Sequence, residues 1–187
     1  MGAIAPNPYC TKKVLDEFEM NILQPTLKGI QEESMDYKGI IFFGLMITNK
    51  GVYLLEYNVR LGDPETQAVL PLMKSDFVEL VISAINGELV NFNLEWNIGH
   101  SCCVIAASKG YPGIYKTGLE IREIDKLEGK LFVAGASDDN GIMRTAGGRV
   151  LGITGIGKTL EKARSVAYSD IRKIKFEGMY YRTDIGK

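Results

Sequence analysis

Four side chains close together in the sequence carry groups able to do chemistry on a charged substrate. They are Glu56, Asn58, Arg60 and Asp63, in the run from Gly51 to Gln67 that reads G-V-Y-L-L-E-Y-N-V-R-L-G-D-P-E-T-Q. Val52 to Val59 is rich in β-branched and aromatic residues, and both faces are apolar at its start, which predicts a central strand covered on both sides. Residues two apart share a face of a strand, so Glu56 and Asn58 are neighbours separated by roughly 7 Å. A carboxylate and an amide oxygen so placed suit a hard cation that prefers oxygen ligands and keeps its other sites for water or phosphate, as magnesium with a nucleotide does. Arg60 has the same parity, and its guanidinium suits an anionic substrate or a phosphoryl oxygen. Gly62 then frees a turn, Asp63 can cap a helix, and Pro64 fits the first helical position. The plain alternative is a strand end solvated by polar residues, and spacing alone does not separate the two.

The elements that must position these groups follow from periodicity. Met1 to Pro8, with small residues and two prolines, predicts an extended loop leading to Thr11 as an N-cap. Val14, Leu15, Phe18, Ile22 and Leu23 repeat at helical spacing, with Pro25 marking a kink or break before a second helical piece ending near Glu33. Tyr37 to Thr48 predicts a strand joined through Asn49-Lys50-Gly51 to the Glu56 strand as a hairpin. Gly44 within it signals a bulge or a close approach. Ala68 to Met73 and Phe77 to Ile85 predict packing helices, the second capped by Ser75 or Asp76 and stopped at Asn86-Gly87.

A change of composition near Trp96 to Gly99 predicts a boundary between domains 1–98 and 99–187. The second part reads as mainly strands: Ser101 to Ser108, Leu119 to Ile124, Lys130 to Ala136, Met143 to Ala146, one from Gly147 onward and the Tyr180 tail. Asp138 to Gly141 supplies a hairpin tip, and Lys158 to Ile174 a helix. The fold class is α+β, an antiparallel sheet with helices followed by a small, mainly β domain.

Composition excludes several classes. The chain has 187 residues, 45% hydrophobic, enough to bury a sizeable core. Its 22 basic and 23 acidic residues show no basic stripe for nucleic acid or an anionic membrane. Cys10, Cys102 and Cys103 make an odd count with an adjacent pair, which predicts neither a disulfide framework nor a zinc quartet and suits a reducing, cytoplasmic setting. No secretion signal opens the chain and no apolar run is long enough to span a membrane, so the expectation is a soluble protein. His100 is the only histidine, which disfavours triad hydrolysis.

Two further patterns compete for attention. Gly152 to Thr159 reads G-I-T-G-I-G-K-T, a formal match to the G-x-x-x-x-G-K-T phosphate loop, but too little chain follows it for the parallel sheet and acidic strand such a domain needs. The alternative is a strand-to-helix turn capped by Thr159 or Thr154. The turn Gly110 to Gly113, flanked by Lys109 and Lys116, and the run Gly147 to Arg149 each offer backbone N–H groups and a cation to a phosphate, or are plain turns.

The run L-E-x-N-x-R-x-G-D-P-E-T-Q closely resembles the signature of the glycinamide ribonucleotide synthetases, the phosphoribosylamine–glycine ligases of the ATP-grasp superfamily. Met1-Gly2-Ala3 with Pro6, and the segments K-G-Y-P-G-x-Y-x-T-G, T-A-G-G-R-V-L and Y-R-x-D-I-G, resemble the same family in order along the chain. The resemblance implies the C-terminal half of an ATP-grasp domain followed by the synthetase's C-terminal domain, without the N-terminal half. It implies a ligase joining glycine to 5-phosphoribosylamine with ATP, with Mg2+ or Mn2+ held by Glu56 and Asn58. Arg60 and Asp63 are then catalytic, Gly62, Asp63, Pro64, Glu65 and Arg149 contact substrate, and Leu55 lies against the nucleotide. The piece alone is expected to be inactive. The readings from other classes are a nucleotide-binding module at residues 152–159 and a non-catalytic interaction module.

Overall fold

A computed structural model describes residues 1–187. The chain packs as two compact units, each discontinuous in sequence: Met1–Ala5, Asp63–Met73 and Trp96–Lys187 form one, Pro6–Gly62 and Lys74–Glu95 the other. Residues 1–5 and 63–73 thus pack with the segment beyond residue 98, and the physical cause lies in two strands. Strand β1 (Gly2–Ala5) pairs antiparallel with β4 (His100–Ser108), from Gly2 opposite Val104 to Ala5 opposite Ser101. The extended loop expected over Met1 to Pro8 is therefore a strand in part. Small residues carry no alternating pattern, but they let the backbone lie close: a Cβ on Gly2 would stand 2.6 Å from the Cys103 carbonyl oxygen.

In this first unit β4 is the strand covered on both faces, buried from Ser101 to Ser108. The antiparallel order is β1-β4-β8-β5, with β8 at Arg149–Gly157, β5 at Lys130–Val133, and the short β9 (Met179–Tyr180) also on β4. Helix α5 (Leu160–Ile171) covers one face, placing Ala163, Ala167 and Ile171 against Cys102, Val104 and Ile153. Helix α3 (Glu65–Val69) lies on the other, with Ala68 against Cys103 and Ile105. Burial pushes the Cys102 and Cys103 thiols up to about 11 and about 12, so both are inert packing groups. Asp170, fully buried on α5, accepts hydrogen bonds from Lys173 Nζ at 2.6 Å and the Gly129 amide at 2.7 Å, which ties the approach to β5 onto the helix. Burial opposes its ionisation, but these donors outweigh it and hold its carboxyl below the ordinary range. A separate hairpin joins β6 (Ala136–Asp139) to β7 (Ile142–Thr145) at the expected tip. The strand expected over Leu119 to Ile124 is reduced to single bridges, Glu120 to Arg144 and Arg122 to Lys175, since each reaches a different partner and no ladder can extend.

The second unit opens with Thr11 capping α1 (Lys12–Phe18), followed by a π-helical stretch at Glu19–Leu23 and α2 (Gln24–Glu32). The break expected at Pro25 takes that form because proline has no N–H and its ring crowds the carbonyl one turn earlier, which the wider turn relieves. The hairpin β2 (Phe42–Thr48) and β3 (Gly51–Asn58) forms as expected. Its Phe43 and Tyr57 rings lie 5.5 Å apart, Phe18 of α1 stands 5.1 Å from Phe43, and Tyr57 shares a 2.7 Å hydrogen bond with Thr26. Helix α4 (Phe77–Asn86) is capped by Asp76 and ends at Gly87 with φ of +75°, a conformation glycine favours. The double-sided burial expected for the Glu56 strand is absent: β3 pairs only with β2, and Leu55 is 62% exposed.

Candidate functional site

In the second unit, alternation along β3 sets Glu56 and Asn58 on one face, and Arg60, in the bend just past the strand, reaches back to Asn58, so the three form a hydrogen-bonded row. Asn58 Nδ2 donates to Glu56 Oε1 at 3.0 Å, Arg60 Nη2 donates to Asn58 Oδ1 at 2.9 Å, and Arg60 Nη1 donates to the Leu61 carbonyl at 2.8 Å. The amide thus bridges a carboxylate to a guanidinium. Glu56 keeps a second oxygen outside that bond, and turning the amide about its last bond would aim Oδ1 along the carboxylate. No group of three or more His, Cys, Asp or Glu side chains is placed to hold a metal ion. One carboxylate and one amide oxygen fit a magnesium-sized cation that takes its remaining ligands from phosphate and water, not a caged calcium or zinc. Leu55, next to Glu56, is the extra residue of the irregular pairing, between Leu54 opposite Leu45 and Glu56 opposite Gly44, and is 62% exposed.

A bulge places Glu56. The pairing of β2 with β3 shifts between Gly44 and Leu45, directly opposite Glu56, and a Cβ on Gly44 would stand 2.9 Å from Glu56 Cγ. The carboxylate stem lies across the bare glycine.

In the first unit a second cluster centres on Asp63. Arg149 Nη2 pairs with Asp63 Oδ2 at 2.8 Å and its Nη1 donates to the Asp63 carbonyl at 2.7 Å. Gln67 Nε2 donates to Asp63 Oδ1 at 3.0 Å, and the Gln67 carbonyl accepts from Thr154 Oγ1 at 2.9 Å. The expected N-cap role of Asp63 is not taken, because its carboxylate is engaged by Arg149 and Gln67 and the helix start at Pro64 has no side-chain cap. Each carboxylate oxygen retains a lone pair for a ligand N–H. Arg149 owes its aim to another irregularity: β4 and β8 slip register so that Ala106 faces Leu151 while Ala107 faces Arg149. Gly62 and Pro64 are buried, and Glu65 opens α3.

The phosphate-loop pattern does not build a phosphate loop. Residues 152–157 are strand, paired antiparallel to β4, and the glycines serve packing: a Cβ on Gly155 would meet the Ala163 carbonyl oxygen at 2.1 Å. Thr159 caps α5 by accepting from the Lys162 amide, while Thr154 bonds Gln67.

With this geometry in place, the comparisons with known proteins are decisive. Residues 101–187 match the family model "Phosphoribosylglycinamide synthetase, C domain", and residues 1–66 match "Phosphoribosylglycinamide synthetase, ATP-grasp (A) domain". The chain belongs to the phosphoribosylglycinamide synthetase family. It is 63% identical over 187 residues to a phosphoribosylamine–glycine ligase of Clostridium acetobutylicum, covering all of this chain and 45% of that protein. The crystal structure of the Thermotoga maritima phosphoribosylamine–glycine ligase superimposes with a TM-score of 0.88 at 36% identity, over all of this chain and 46% of that one. The biotin carboxylase domain of the Hydrogenobacter thermophilus 2-oxoglutarate carboxylase shares the fold, with a TM-score of 0.63 at 18% identity over 97% of this chain and 40% of that one. The chain thus spans about 45% of the length of the curated relative it matches. No helix is long and apolar enough to cross a membrane.

Within the synthetase-like run, the sequence assigns no role to Gln67. Gln67 orients Asp63 and leaves its own Oε1 buried without a partner. Its place one helical turn after Asp63 was the available signal. Gly44 signals a bulge or a close approach in the sequence, but its service to Glu56 depends on the cross-strand register, which only the fold supplies.

Proposed function

We propose that this chain carries the metal-facing and substrate-facing surfaces of a phosphoribosylamine–glycine ligase, completed by a polypeptide equivalent to the remaining part of its relatives. The observation that carries the reading is the hydrogen-bonded row of Glu56, Asn58 and Arg60 at the end of β3. A carboxylate is a poor electrophile, so ATP first converts that of glycine to an acyl phosphate, releasing ADP. The amine nitrogen of 5-phosphoribosylamine then attacks the acyl carbon, the C–N bond forms, the C–O bond to phosphate breaks, and phosphate leaves. Mg2+ or Mn2+ bound by Glu56 and Asn58 would neutralise charge on the phosphates. Arg60, released from Asn58, steadies the transferring phosphoryl group. Asp63, held by Arg149 and Gln67, accepts from the ammonium of glycine or the attacking amine, with Gly62, Pro64 and Glu65 shaping its approach. Leu55 offers an apolar face to the nucleotide base. The unpaired thiols suit a reducing cytoplasm.

Co-expression with the remaining part of a relative's ligase tests this. Glycine-dependent and phosphoribosylamine-dependent ADP formation should appear in the pair, be absent from the chain alone, and fall at least about a hundredfold with Glu56→Gln, as loss of a charge-stabilising group does. A pair that stays inactive although both parts are folded and associated would favour a non-catalytic interaction module.

A further inference from the structure

The first unit holds a cavity of about 420 Å³ that the ligase surfaces described above do not use, lined by Ser108, Lys109, Tyr115, Lys116, Leu119 and Glu177 among others. That volume falls within the roughly 300–1,000 Å³ of small-molecule sites. Its walls are fixed. The Lys109 amide donates to the Gly178 carbonyl at 2.8 Å, and Ser108 Oγ donates to the Gly147 carbonyl at 3.0 Å. Gly110 has φ of +101°, and a Cβ there would stand 2.1 Å from the Ile114 carbonyl oxygen, so the turn closes only with glycine.

The charges within it are uncommitted. Lys109, Lys116 and Glu177 form no ion pair, although all three line one cavity. The turn amides of Tyr111 and Gly113 are spent on the Ser108 and Gly110 carbonyls, which removes them from the anion-binding role their sequence suggested. The amides of Ile114, Tyr115 and Lys116, at the cavity wall, have no carbonyl partner. Two ammonium groups and neighbouring free N–H groups make an anion seat; one carboxylate beside them is what sugar hydroxyls require. An anion alone would be repelled by Glu177, and a neutral sugar would leave both lysines idle. The turn also adjoins the Asp63 cluster, because the Tyr111 ring lies on Gly148, whose added Cβ would meet it at 2.1 Å, next to Arg149.

We propose that this cavity seats a phosphorylated sugar, with Lys109, Lys116 and the 114–116 amides on the phosphate and Glu177 on the hydroxyls. Resting on the ligase reading, it is the subsite for the 5-phosphoribosyl part of the amine substrate.

The test is an NMR titration of the intact chain with methyl ribofuranoside 5-phosphate, which has no aldehyde to react with lysine, against methyl ribofuranoside and inorganic phosphate. Shifts should concentrate on residues 109–116, 177 and 178, with the sugar phosphate binding at least tenfold tighter than either half. K109A/K116A should weaken it at least tenfold, and K109M/K116M, which keeps the apolar stems, should do the same if the alanine pair loses spectral dispersion. K130A, on β5, should stay within twofold. Glu177→Gln should weaken the sugar phosphate about fivefold and leave inorganic phosphate unweakened. Shifts elsewhere, equal binding of inorganic phosphate, or lysine variants within twofold of the parent would overturn the proposal. The two readings fail separately. A complemented ligase with K109A/K116A at unchanged KM for phosphoribosylamine removes this subsite and keeps the ligase. Sugar-phosphate binding at these residues without any complemented activity keeps the site and removes the ligase.

Discussion

At the scale of single residues, the chemistry rests on side chains that hold each other in place. Parity along β3 made the pairing of Glu56 with Asn58 legible in the sequence, because residues two apart on a strand share a face, and Arg60 extends it from the bend beyond. The Asp63 cluster was legible only in part: Arg149 lies 86 residues away, and only the fold brings its guanidinium to the carboxylate. The two are each about one-third exposed, at 34% and 40%, so the pair is screened and its contribution is modest. A double-mutant cycle of Arg149→Met and Asp63→Asn, followed by urea unfolding, should give a coupling of about 1 kcal/mol, above a typical surface pair because the guanidinium makes two bonds to one residue. Coupling near zero would mean that Arg149 does not hold Asp63 in solution.

At the scale of elements, both chemical clusters sit beside an irregularity in a sheet. The helices, the hairpin and β4 were legible because each carries a period, a cap or a turn pair. Strand β1 was not, since four residues, three of them small, show no period and take their conformation from β4. Gly44→Ala follows from the bulge: the added methyl needs the 2.9 Å gap to Glu56 Cγ, so the carboxylate stem must swing away while the exposed hairpin stays intact. Manganese affinity of the chain, read by electron paramagnetic resonance, should fall about threefold to tenfold with little change in melting temperature. An unchanged affinity would show that Glu56 reaches the ion by another route. The bond between α5 and the Gly129 amide gives a second prediction, in pH. The folded pKa of Asp170 is depressed, so the stability it contributes is present above the unfolded value of about 3.9 and is lost as pH falls through the folded value. Asp170→Asn should therefore cost about 1–3 kcal/mol at neutral pH, and the difference from the parent should shrink in acid below about pH 4. A difference independent of pH would assign the cost to packing instead of charge.

At the scale of the whole molecule, the two units differ in how much apolar surface they bury. Every buried hydrophobic residue except Ile22 belongs to the unit built on β4 and β8, while the unit carrying Glu56 leaves Leu55, Tyr53, Ile82 and Ile85 at least half exposed. The sequence could not foretell this, because the β-branched run of β3 reads as a covered strand and says nothing of what covers it. Local opening is governed by buried contacts, so the hairpin and α4 should open far more readily than the β4–β8 ladder. Hydrogen exchange of the chain alone should therefore show β2 and β3 amides exchanging about a hundredfold faster than those of Cys102 to Ala106, a gap of about 2.7 kcal/mol. Adding the complementary part of a relative's ligase should slow exchange in β2, β3 and α4 and leave Cys102 to Ala106 unchanged, since only the first group has apolar surface left to bury. Equal protection in both units before addition would mean that the Glu56 hairpin is already as stable as the core.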